Sequence, residues 1–208
     1  MNMLKIIDHP IVRVSLSKMR NKHTDSRDFK QRLIELSQFL SYEVTRDYPT
    51  VSIPIETPIT KTNGYKLKDQ IVLVPILRAG LGMVEGFSAV LPSAASGFIG
   101  LYRNEKTLKP VQYYSKMPEN ISGANVIVLD PMLATGHSAL AAIKIIKTYK
   151  PKSIKFVCVV AAPEGIKVLT KGAPDVDIYT AAIDKKLNEK GYIVPGLGDA
   201  GDRIFKTK

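Results

Sequence analysis

The segment Asp130–Ser138, DPMLATGHS, combines residues that suit the binding of a phosphorylated sugar. Thr135 and Ser138 carry hydroxyls that can donate hydrogen bonds, and Gly136 lets the backbone come close to a ligand. A helix that begins here would add unpaired backbone amides at the positive end of its dipole. Asp130 is placed to accept hydrogen bonds from sugar hydroxyls. The segment therefore predicts a cup for a phosphate monoester beside a sugar site.

The flanking sequence predicts the elements that position this segment. An apolar run at Val126–Leu129 indicates a buried strand, and an alanine-rich pattern after Ser138 indicates a helix. Strand, turn and helix also follow one another in α/β proteins that bind no phosphate, where Thr or Ser only caps the helix. The residue types alone leave both interpretations open.

A second turn of the same kind follows the apolar run Ile71–Leu77, IVLVPIL. A run that is apolar on both faces is typical of a central parallel strand. Arg78 and two glycines, Gly80 and Gly82, come next and lead into a predicted helix. A guanidinium can bind phosphate through paired hydrogen bonds, although Arg78 could instead form a surface ion pair. Two such turns on one sheet favour a diphosphate ligand.

The segment VIVLDPMLATGHS resembles the phosphoribosyl-pyrophosphate (PRPP) loop of phosphoribosyltransferases. Its Asp-Pro-Met-Leu-Ala-Thr-Gly form is similar to the version in the uracil phosphoribosyltransferase family. Most of the wider superfamily has two adjacent acidic residues where this chain has Asp130-Pro131, and this departure favours the uracil branch. His137 stands where the uracil enzymes commonly have a small residue. His adopts positive φ less readily than Gly, so the resemblance does not define the loop conformation at His137.

The resemblance implies roles for particular residues. Thr135 to Ser138 would hold the 5′-phosphate, Asp130 the ribose hydroxyls, and Arg78 with Arg103 the pyrophosphate. The stretch LRAGLGM resembles a family loop that can contain a cis peptide bond before a residue other than proline. The PRPP-binding set is Arg78, Arg103, Asp130, Pro131, Met132, Leu133, Ala134, Thr135, Gly136, His137, Ser138 and Asp199. Mg²⁺ is expected to be bound through PRPP, because the chain offers no dedicated carboxylate cage for a metal of its own.

The C-terminal segment Gly191–Arg203, GYIVPGLGDAGDR, is rich in glycine. Its composition predicts a segment that does not pack but presents main-chain groups to a ligand edge, with a flexible surface tail as the alternative. The segment closely resembles the uracil-binding segment of the same family, which would make it the base-recognition segment. The implied uracil-binding residues are Ile193, Gly198, Asp199 and Ala200, and the implied catalytic residues are Asp199 and Arg78.

The resemblance implies that uracil and PRPP are converted to UMP and diphosphate, as in pyrimidine salvage. Three alternatives stay open from the residues. A phosphoribosyltransferase could take another base, a relative of this fold could have become an RNA-binding regulator, or His137 could have abolished turnover. Family likeness also suggests a homodimer or homotetramer, with GTP as a candidate effector.

The amino-acid composition limits the classes of protein to which this chain can belong. The chain has 208 residues, 45% hydrophobic and 24% charged, which predicts one globular domain over 1–208. No apolar stretch approaches the ~18 residues of a membrane span, no secretory signal is evident, and the single Cys158 predicts a buried structural thiol. We therefore expect a cytoplasmic protein without membrane contacts.

The net charge of +11 is spread along the chain without a recognisable nucleic-acid motif, so no nucleic-acid partner is expected. Solvated helix faces are the simplest explanation for the lysines, and a basic field would also attract a substrate with several phosphates. The lysines in question are Lys144, Lys147, Lys150, Lys152, Lys155, Lys185, Lys186 and Lys190.

Along the chain, strands alternate with helices. This order predicts an α/β fold with a mainly parallel central sheet and helices on both faces, like the type I phosphoribosyltransferases. Asp25 or Ser26 should cap a helix with an apolar stripe, and 50–65 could form two edge strands that turn at Asn63-Gly64. The polar segment 104–122 should be a β-hairpin arm or a flap, with Tyr113 and Tyr114 as candidate anchors at a neighbouring subunit. Further strands are expected at Gly97–Tyr102, Ser153–Ala161 and Val176–Ala182, and further helices at Ser138–Lys150 and Pro163–Leu169.

Overall fold

A mostly parallel sheet forms the centre of the computed structural model, which describes residues 3–103 and 110–207. The strands are β1 (Leu4–Ile6), β2 (Thr50–Glu56), β3 (Lys61–Leu67), β4 (Ile71–Leu77), β5 (Ala95–Ser96), β6 (Phe98–Arg103), β7 (Pro110–Lys116), β8 (Asn125–Leu129), β9 (Met132–Leu133), β10 (Ser153–Ala161), β11 (Asp177–Ile183), β12 (Lys186–Leu187) and β13 (Ile193–Val194). The main sheet has the order β1-β11-β10-β8-β4-β6-β7, with β5 beside β4 and β9 beside β10. Within it, β7 runs antiparallel to β6 and the other pairs are parallel.

Helices cover both faces of this sheet. They are α1 (Pro10–Arg20), α2 (Ser26–Val44), α3 (Leu81–Val90), α4 (His137–Lys147), α5 (Pro163–Gly172) and α6 (Ala200–Phe205). One core cluster joins α1, α2, α3 and α6 to the sheet, and a second joins α4 and α5 to the opposite face. Strand β4 contributes Leu73 to the first cluster and Val74 to the second, as expected for a strand buried on both faces. The predicted α/β architecture is confirmed.

Helix α2 shows why the sequence folds as it does locally. The Asp25 carboxylate caps the helix by accepting a hydrogen bond of 2.8 Å from the backbone N–H of Asp28. Its apolar residues recur at helical spacing and form one buried stripe: Phe29, Leu33, Leu36, Leu40 and Val44. The prediction for this helix is confirmed, and the stripe packs within the first core cluster.

The prediction of a pair of edge strands at residues 50–65 is confirmed, but the predicted turn at Asn63-Gly64 was wrong. Strands β2 and β3 form a separate two-stranded antiparallel sheet. The turn lies at Thr57–Thr60, where the Thr57 hydroxyl accepts a hydrogen bond of 3.0 Å from the Thr60 N–H. Gly64 pairs with Ile53 within the strands, and a Cβ there would lie 2.9 Å from Ile55 Cδ1. Gly64 therefore makes room for an isoleucine side chain instead of forming a turn.

The segment after β6 returns as strand β7, which pairs antiparallel with it. The hairpin arm or flap was predicted at 104–122, and its residues 104–109 lie outside the described residues. In the described part, Tyr113 packs over Gly100, where an added Cβ would lie 2.5 Å from the tyrosine Cζ. A single 3₁₀ turn at Glu119–Ile121 precedes β8. Tyr113 and Tyr114 are both exposed, and their role as subunit anchors stays a prediction.

Lys155 departs from the expectation that the lysines cover solvated surfaces. Its side chain is buried in β10 and donates a hydrogen bond of 2.8 Å to the Val44 carbonyl. It forms an ion pair with Asp47, and its Nζ lies 4.4 Å from the centre of the Tyr48 ring. Burial of a lysine is tolerated here because a carboxylate, a carbonyl and an aromatic ring replace the lost water.

Two further findings concern the class of protein. Cys158 is a free, buried thiol, as predicted, and burial raises its pKa to about 12. Among residues 3–103 and 110–207, no helix is long and apolar enough to cross a membrane.

Candidate functional site

The site lies at the carboxyl ends of two adjacent parallel strands. Arg78 directly follows β4, and Asp130 directly follows β8, which pairs with β4 in parallel register. From β4 the chain continues to β6 on one side, and from β8 it continues to β10 on the other. Helix α3, which follows β4, and helix α4, which follows β8, lie on opposite faces of the sheet. This is a topological switch point, where open α/β sheets form a ligand crevice.

Glycine lets the two strand ends come together. A Cβ at Gly80 would lie 2.2 Å from the backbone oxygen of Leu129, so only glycine fits against β8 at this point. The Leu77–Arg78 peptide bond is cis, as the resemblance implied. Arg78 thus stands at the start of a turn that is pressed against the strand carrying Asp130.

The PRPP-like loop has an irregular backbone between β8 and α4. Met132 and Leu133 form the short strand β9 along β10, and Gly136 adopts a φ of +79° before the helix begins. The loop rests on α5, since a Cβ at Gly136 would lie 2.7 Å from the Gly165 carbonyl oxygen. This contact makes Gly165 a supporting residue that the sequence did not reveal, because it belongs to a different helix.

Helix α4 begins one residue before the predicted Ser138. Its first helical residue is His137, and Thr135 lies outside the helix, before Gly136. The positive φ that the loop requires falls on Gly136, and not on His137. The histidine is therefore compatible with the backbone of the loop. The backbone amides of His137 and Ser138 belong to the first turn of α4, where amides lack partners within the helix.

Asp130 has the electrostatics of a functional carboxylate. It accepts a hydrogen bond of 3.3 Å from the backbone N–H of Met132. Burial raises the pKa of Asp130 to about 7, the Met132 N–H opposes this shift, and the charge of Asp199 adds to it. A carboxyl group with a perturbed pKa at the carboxyl end of a strand is a candidate for ligand binding.

Arg78 forms the ion pair that the sequence left as an alternative to phosphate binding. Its Nη2 lies 3.4 Å from Asp202 Oδ1, and its Nη1 donates to the Thr207 hydroxyl at 3.2 Å. Its side chain is nevertheless 55% exposed. The guanidinium is thus oriented by the C-terminal segment and remains accessible to an anion. Arg103 ends β6 at the same edge of the sheet.

The glycine-rich segment 191–203 does pack, so the prediction that it is too rich in glycine for packing was wrong. Ile193, Leu197 and Ala200 are buried, and α6 begins within the segment. Glycine supplies positive φ at isolated turn positions, while the apolar residues between them join the core. The expected tail is therefore a fixed part of the first core cluster.

Asp199 and its neighbours bring this segment to the strand ends. The Asp199 side chain caps α6 by accepting a hydrogen bond of 2.9 Å from the Asp202 N–H. A Cβ at Gly201 would lie 3.9 Å from both Ala79 Cβ and Arg78 Nη2. Together with the contribution of Asp199 to the pKa of Asp130, these contacts bring the Arg78 turn, the Asp130 loop and the segment 191–203 to the same end of the sheet.

Sequence reasoning also missed an ion pair that supports the segment 191–203. Arg20 and Asp184 form two hydrogen bonds with each other, and both also bind the backbone of Gly196. Their distance along the chain leaves no local pattern that could have revealed them. Among residues 3–103 and 110–207, no cluster of three or more His, Cys, Asp or Glu side chains could hold a metal ion.

Comparisons with known proteins agree with this geometry. Residues 6–207 match the family model described as uracil phosphoribosyltransferase. The chain is 59% identical to uracil phosphoribosyltransferase of Malacoplasma penetrans, with 98% of each chain covered. It is 56% identical to uracil phosphoribosyltransferase of Dictyoglomus turgidum, covering 99% of this chain and 100% of the other.

Solved structures extend the comparison to the fold. The AQ2163 protein from Aquifex aeolicus superposes with a TM-score of 0.95 at 39% identity, covering 99% of both chains. A hypoxanthine-guanine phosphoribosyltransferase from Bacillus anthracis gives a TM-score of 0.54 at 19% identity, covering 76% of this chain and 80% of the other. The second likeness concerns the fold alone. With its Asp-Pro-Met-Leu-Ala-Thr-Gly loop at the switch point and its family match over nearly the whole length, this chain belongs to the uracil phosphoribosyltransferase family.

Proposed function

We propose that this protein transfers the phosphoribosyl group of PRPP to uracil, giving UMP and diphosphate in pyrimidine salvage. The observation that carries this proposal is the meeting of three segments at one edge of the sheet. They are the turn after β4, the loop after β8 and the segment that leads into α6. One crevice can therefore receive a sugar diphosphate and a base side by side.

The reaction forms a bond between N1 of uracil and the anomeric carbon of PRPP, and it breaks the bond from that carbon to pyrophosphate. The proton on N1 leaves to solvent or to a nearby base, for which Asp199 is the candidate. Positive charge develops on the sugar in the transition state, and negative charge leaves with pyrophosphate. The protein therefore has to orient both substrates, stabilise these charges and exclude water.

The PRPP side of the crevice supplies the contacts for the sugar phosphate. The loop Thr135–Ser138 offers hydroxyls and the first amides of α4 to the 5′-phosphate. Asp130 accepts hydrogen bonds from the ribose hydroxyls, while Pro131 to Ala134 shape the loop beneath them. Arg78 and Arg103 hold the pyrophosphate, since a guanidinium pairs well with phosphate oxygens. Bound through the phosphate oxygens of PRPP, Mg²⁺ would help to neutralise the charge of the leaving pyrophosphate beside Arg78 and Arg103.

The base side reads uracil through the main chain. Uracil presents alternating acceptor, donor and acceptor groups, and backbone groups around Ile193 and at Gly198 to Ala200 can match them. Gly198 has a φ of +80°, a conformation that L side chains rarely adopt. Backbone recognition at such a position would distinguish uracil from bases with another hydrogen-bonding pattern.

The same proposal includes the wider context of the enzyme. Residues 1–208 act as one phosphoribosyltransferase domain in the cytoplasm, as a homodimer or homotetramer, with GTP as the effector to be tested. Size-exclusion chromatography with light scattering measures the oligomeric state, and turnover with and without GTP measures activation. Neither result tests the proposed uracil activity itself.

Uracil-dependent release of pyrophosphate from PRPP and Mg²⁺, with UMP identified as the product, is the decisive experiment. Wild-type protein should turn over uracil and discriminate against cytosine, hypoxanthine and orotate. Arg78→Ala and Asp130→Asn should each lose on the order of 100-fold in turnover, because each removes a transition-state contact. Absence of UMP formation by folded wild-type protein would refute the proposed function.

A further inference from the structure

The turn at Gly196 is held on both sides by one ion pair. Arg20 Nη1 donates a hydrogen bond of 2.7 Å to the Gly196 carbonyl, and Asp184 Oδ2 accepts one of 2.9 Å from the Gly196 N–H. The two side chains are joined to each other by hydrogen bonds of 2.8 Å and 2.6 Å. Both polar groups of one residue, Gly196, are thus bound by the two members of a single salt bridge.

The Arg20–Asp184 ion pair is mostly buried, and both residues are attached to regular secondary structure. The side chain of Asp184 is 5% exposed and that of Arg20 is 23% exposed. Arg20 is the last residue of α1, and Asp184 directly follows β11, where its own N–H donates a hydrogen bond of 2.8 Å to the Ala161 carbonyl. A paired guanidinium and carboxylate fixed to a helix and a sheet restrict direction as well as distance.

The restraint on Gly196 reaches a residue assigned to uracil recognition. Gly196 has a φ of +63°, and a Cβ there would lie 2.2 Å from the Ile193 carbonyl oxygen. The turn therefore folds Gly196 tightly onto Ile193, and Val194 between them accepts a hydrogen bond of 3.0 Å from the Lys185 N–H. Any rotation of the Gly196 backbone would displace the backbone of Ile193 and the chain that leads to Gly198.

We propose that the Arg20–Asp184 ion pair is a positioning device for base recognition: it sets the orientation of the 193–200 backbone and so determines affinity and selectivity for uracil, without contacting the substrate. This inference rests on the proposed function. The ion pair should act on the uracil side of the site alone. The PRPP loop after β8 and the turn after β4 make their own contacts with the sheet. The ion pair should therefore affect uracil and leave PRPP binding largely unchanged.

Two conservative variants test this proposal. Asp184→Asn keeps an acceptor for the Gly196 N–H but loses the negative charge that holds Arg20. Arg20→Lys keeps the positive charge but loses the planar guanidinium. A third variant, Arg20→Met, removes both the positive charge and the guanidinium. The KM for uracil should rise about tenfold or more in Arg20→Met and Asp184→Asn, because each loses a hydrogen bond to a charged group, while the KM for PRPP should change by less than about twofold. Arg20→Lys should recover part of the uracil affinity.

A matched control distinguishes positioning from general destabilisation. Lys155→Met removes another ion pair, in which Lys155 is buried and Asp47 is exposed, and leaves residues 193–200 untouched. It should lower thermal stability without raising the KM for uracil. Unchanged uracil KM in folded Asp184→Asn and Arg20→Met, or equal increases in both KM values, would overturn the proposal. Wild-type protein that forms no UMP would instead refute the proposed function, so the two failures are distinct.

Discussion

Asp199 raises the pKa of Asp130, although the two carboxylates come from the C-terminal segment and from the end of β8. The larger cause of the raised pKa, to about 7, is the burial of Asp130. The relationship is nevertheless informative, because it requires the two carboxylates to lie close enough for their charges to interact. It links the residue proposed to bind the ribose with the segment proposed to bind uracil.

The first prediction concerns the pH dependence of PRPP use. Hydrogen-bond acceptance from both ribose hydroxyls favours the ionised form of Asp130, and its pKa of about 7 means that this form appears as the pH rises through neutrality. The kcat/KM for PRPP, which reports the free enzyme, should therefore increase with pH through this range. Phosphate groups of PRPP also titrate near this pH, so the profile of Asp130→Asn serves as the baseline. Identical profile shapes for wild type and variant would contradict the prediction.

The second prediction uses the coupling between the two carboxylates. Asp199→Asn removes a charge that raises the pKa of Asp130 and retains an N-cap, since Asn caps helices about as well as Asp. The rise in kcat/KM for PRPP should then occur at lower pH than in the wild type. Steady-state kinetics over a pH series measure the displacement. A displacement to higher pH would show that Asp199 does not act on Asp130 through its charge.

The third prediction separates two roles of Arg78. Because its guanidinium is accessible, Arg78→Ala should reduce turnover on the order of 100-fold through lost pyrophosphate contacts. Thr207→Val removes the hydrogen bond from Arg78 to the Thr207 hydroxyl and the one that this hydroxyl donates to Asp202, and it should cost much less. Initial rates at saturating uracil compare the two variants. Equal losses would mean that Arg78 acts mainly through its contacts with the C-terminal segment.

The fourth prediction concerns the packing of the Arg78 turn. Gly80→Ala would place a Cβ 2.2 Å from the Leu129 carbonyl oxygen, a backbone atom that cannot move without disturbing β8. We expect a loss of about 1–3 kcal/mol in unfolding free energy and a large loss of activity, because the strand ends must separate.

Gly64→Ala is the matched control for that substitution. The added methyl would meet only the end of the Ile55 side chain, at 2.9 Å in the β2–β3 hairpin, and that side chain can rotate away. Chemical denaturation and the pyrophosphate-release assay should show little change. Comparable losses of activity in both variants would argue against a special constraint at the Gly80 contact.

The sequence by itself determined the fold class, the positions of the main strands along the chain and the two loops that follow β4 and β8. The physical reason is that these signals are local. Runs apolar on both faces, such as β4 and β8, can be buried only at the centre of a sheet, and the residues that follow them are already adjacent in the chain. The cap of α2 by Asp25 is local in the same sense.

Tertiary structure decided the features that depend on contacts between distant residues. Gly64 lies inside a strand, where the Ile55 side chain packs against it. The glycine-rich segment 191–203 packs because its few apolar residues contact α2 and the sheet. Arg20 and Asp184 become partners only when α1 is placed beside the end of β11. No spacing along the chain encodes such pairs, since their free energy arises from burial and orientation that exist only in the folded protein.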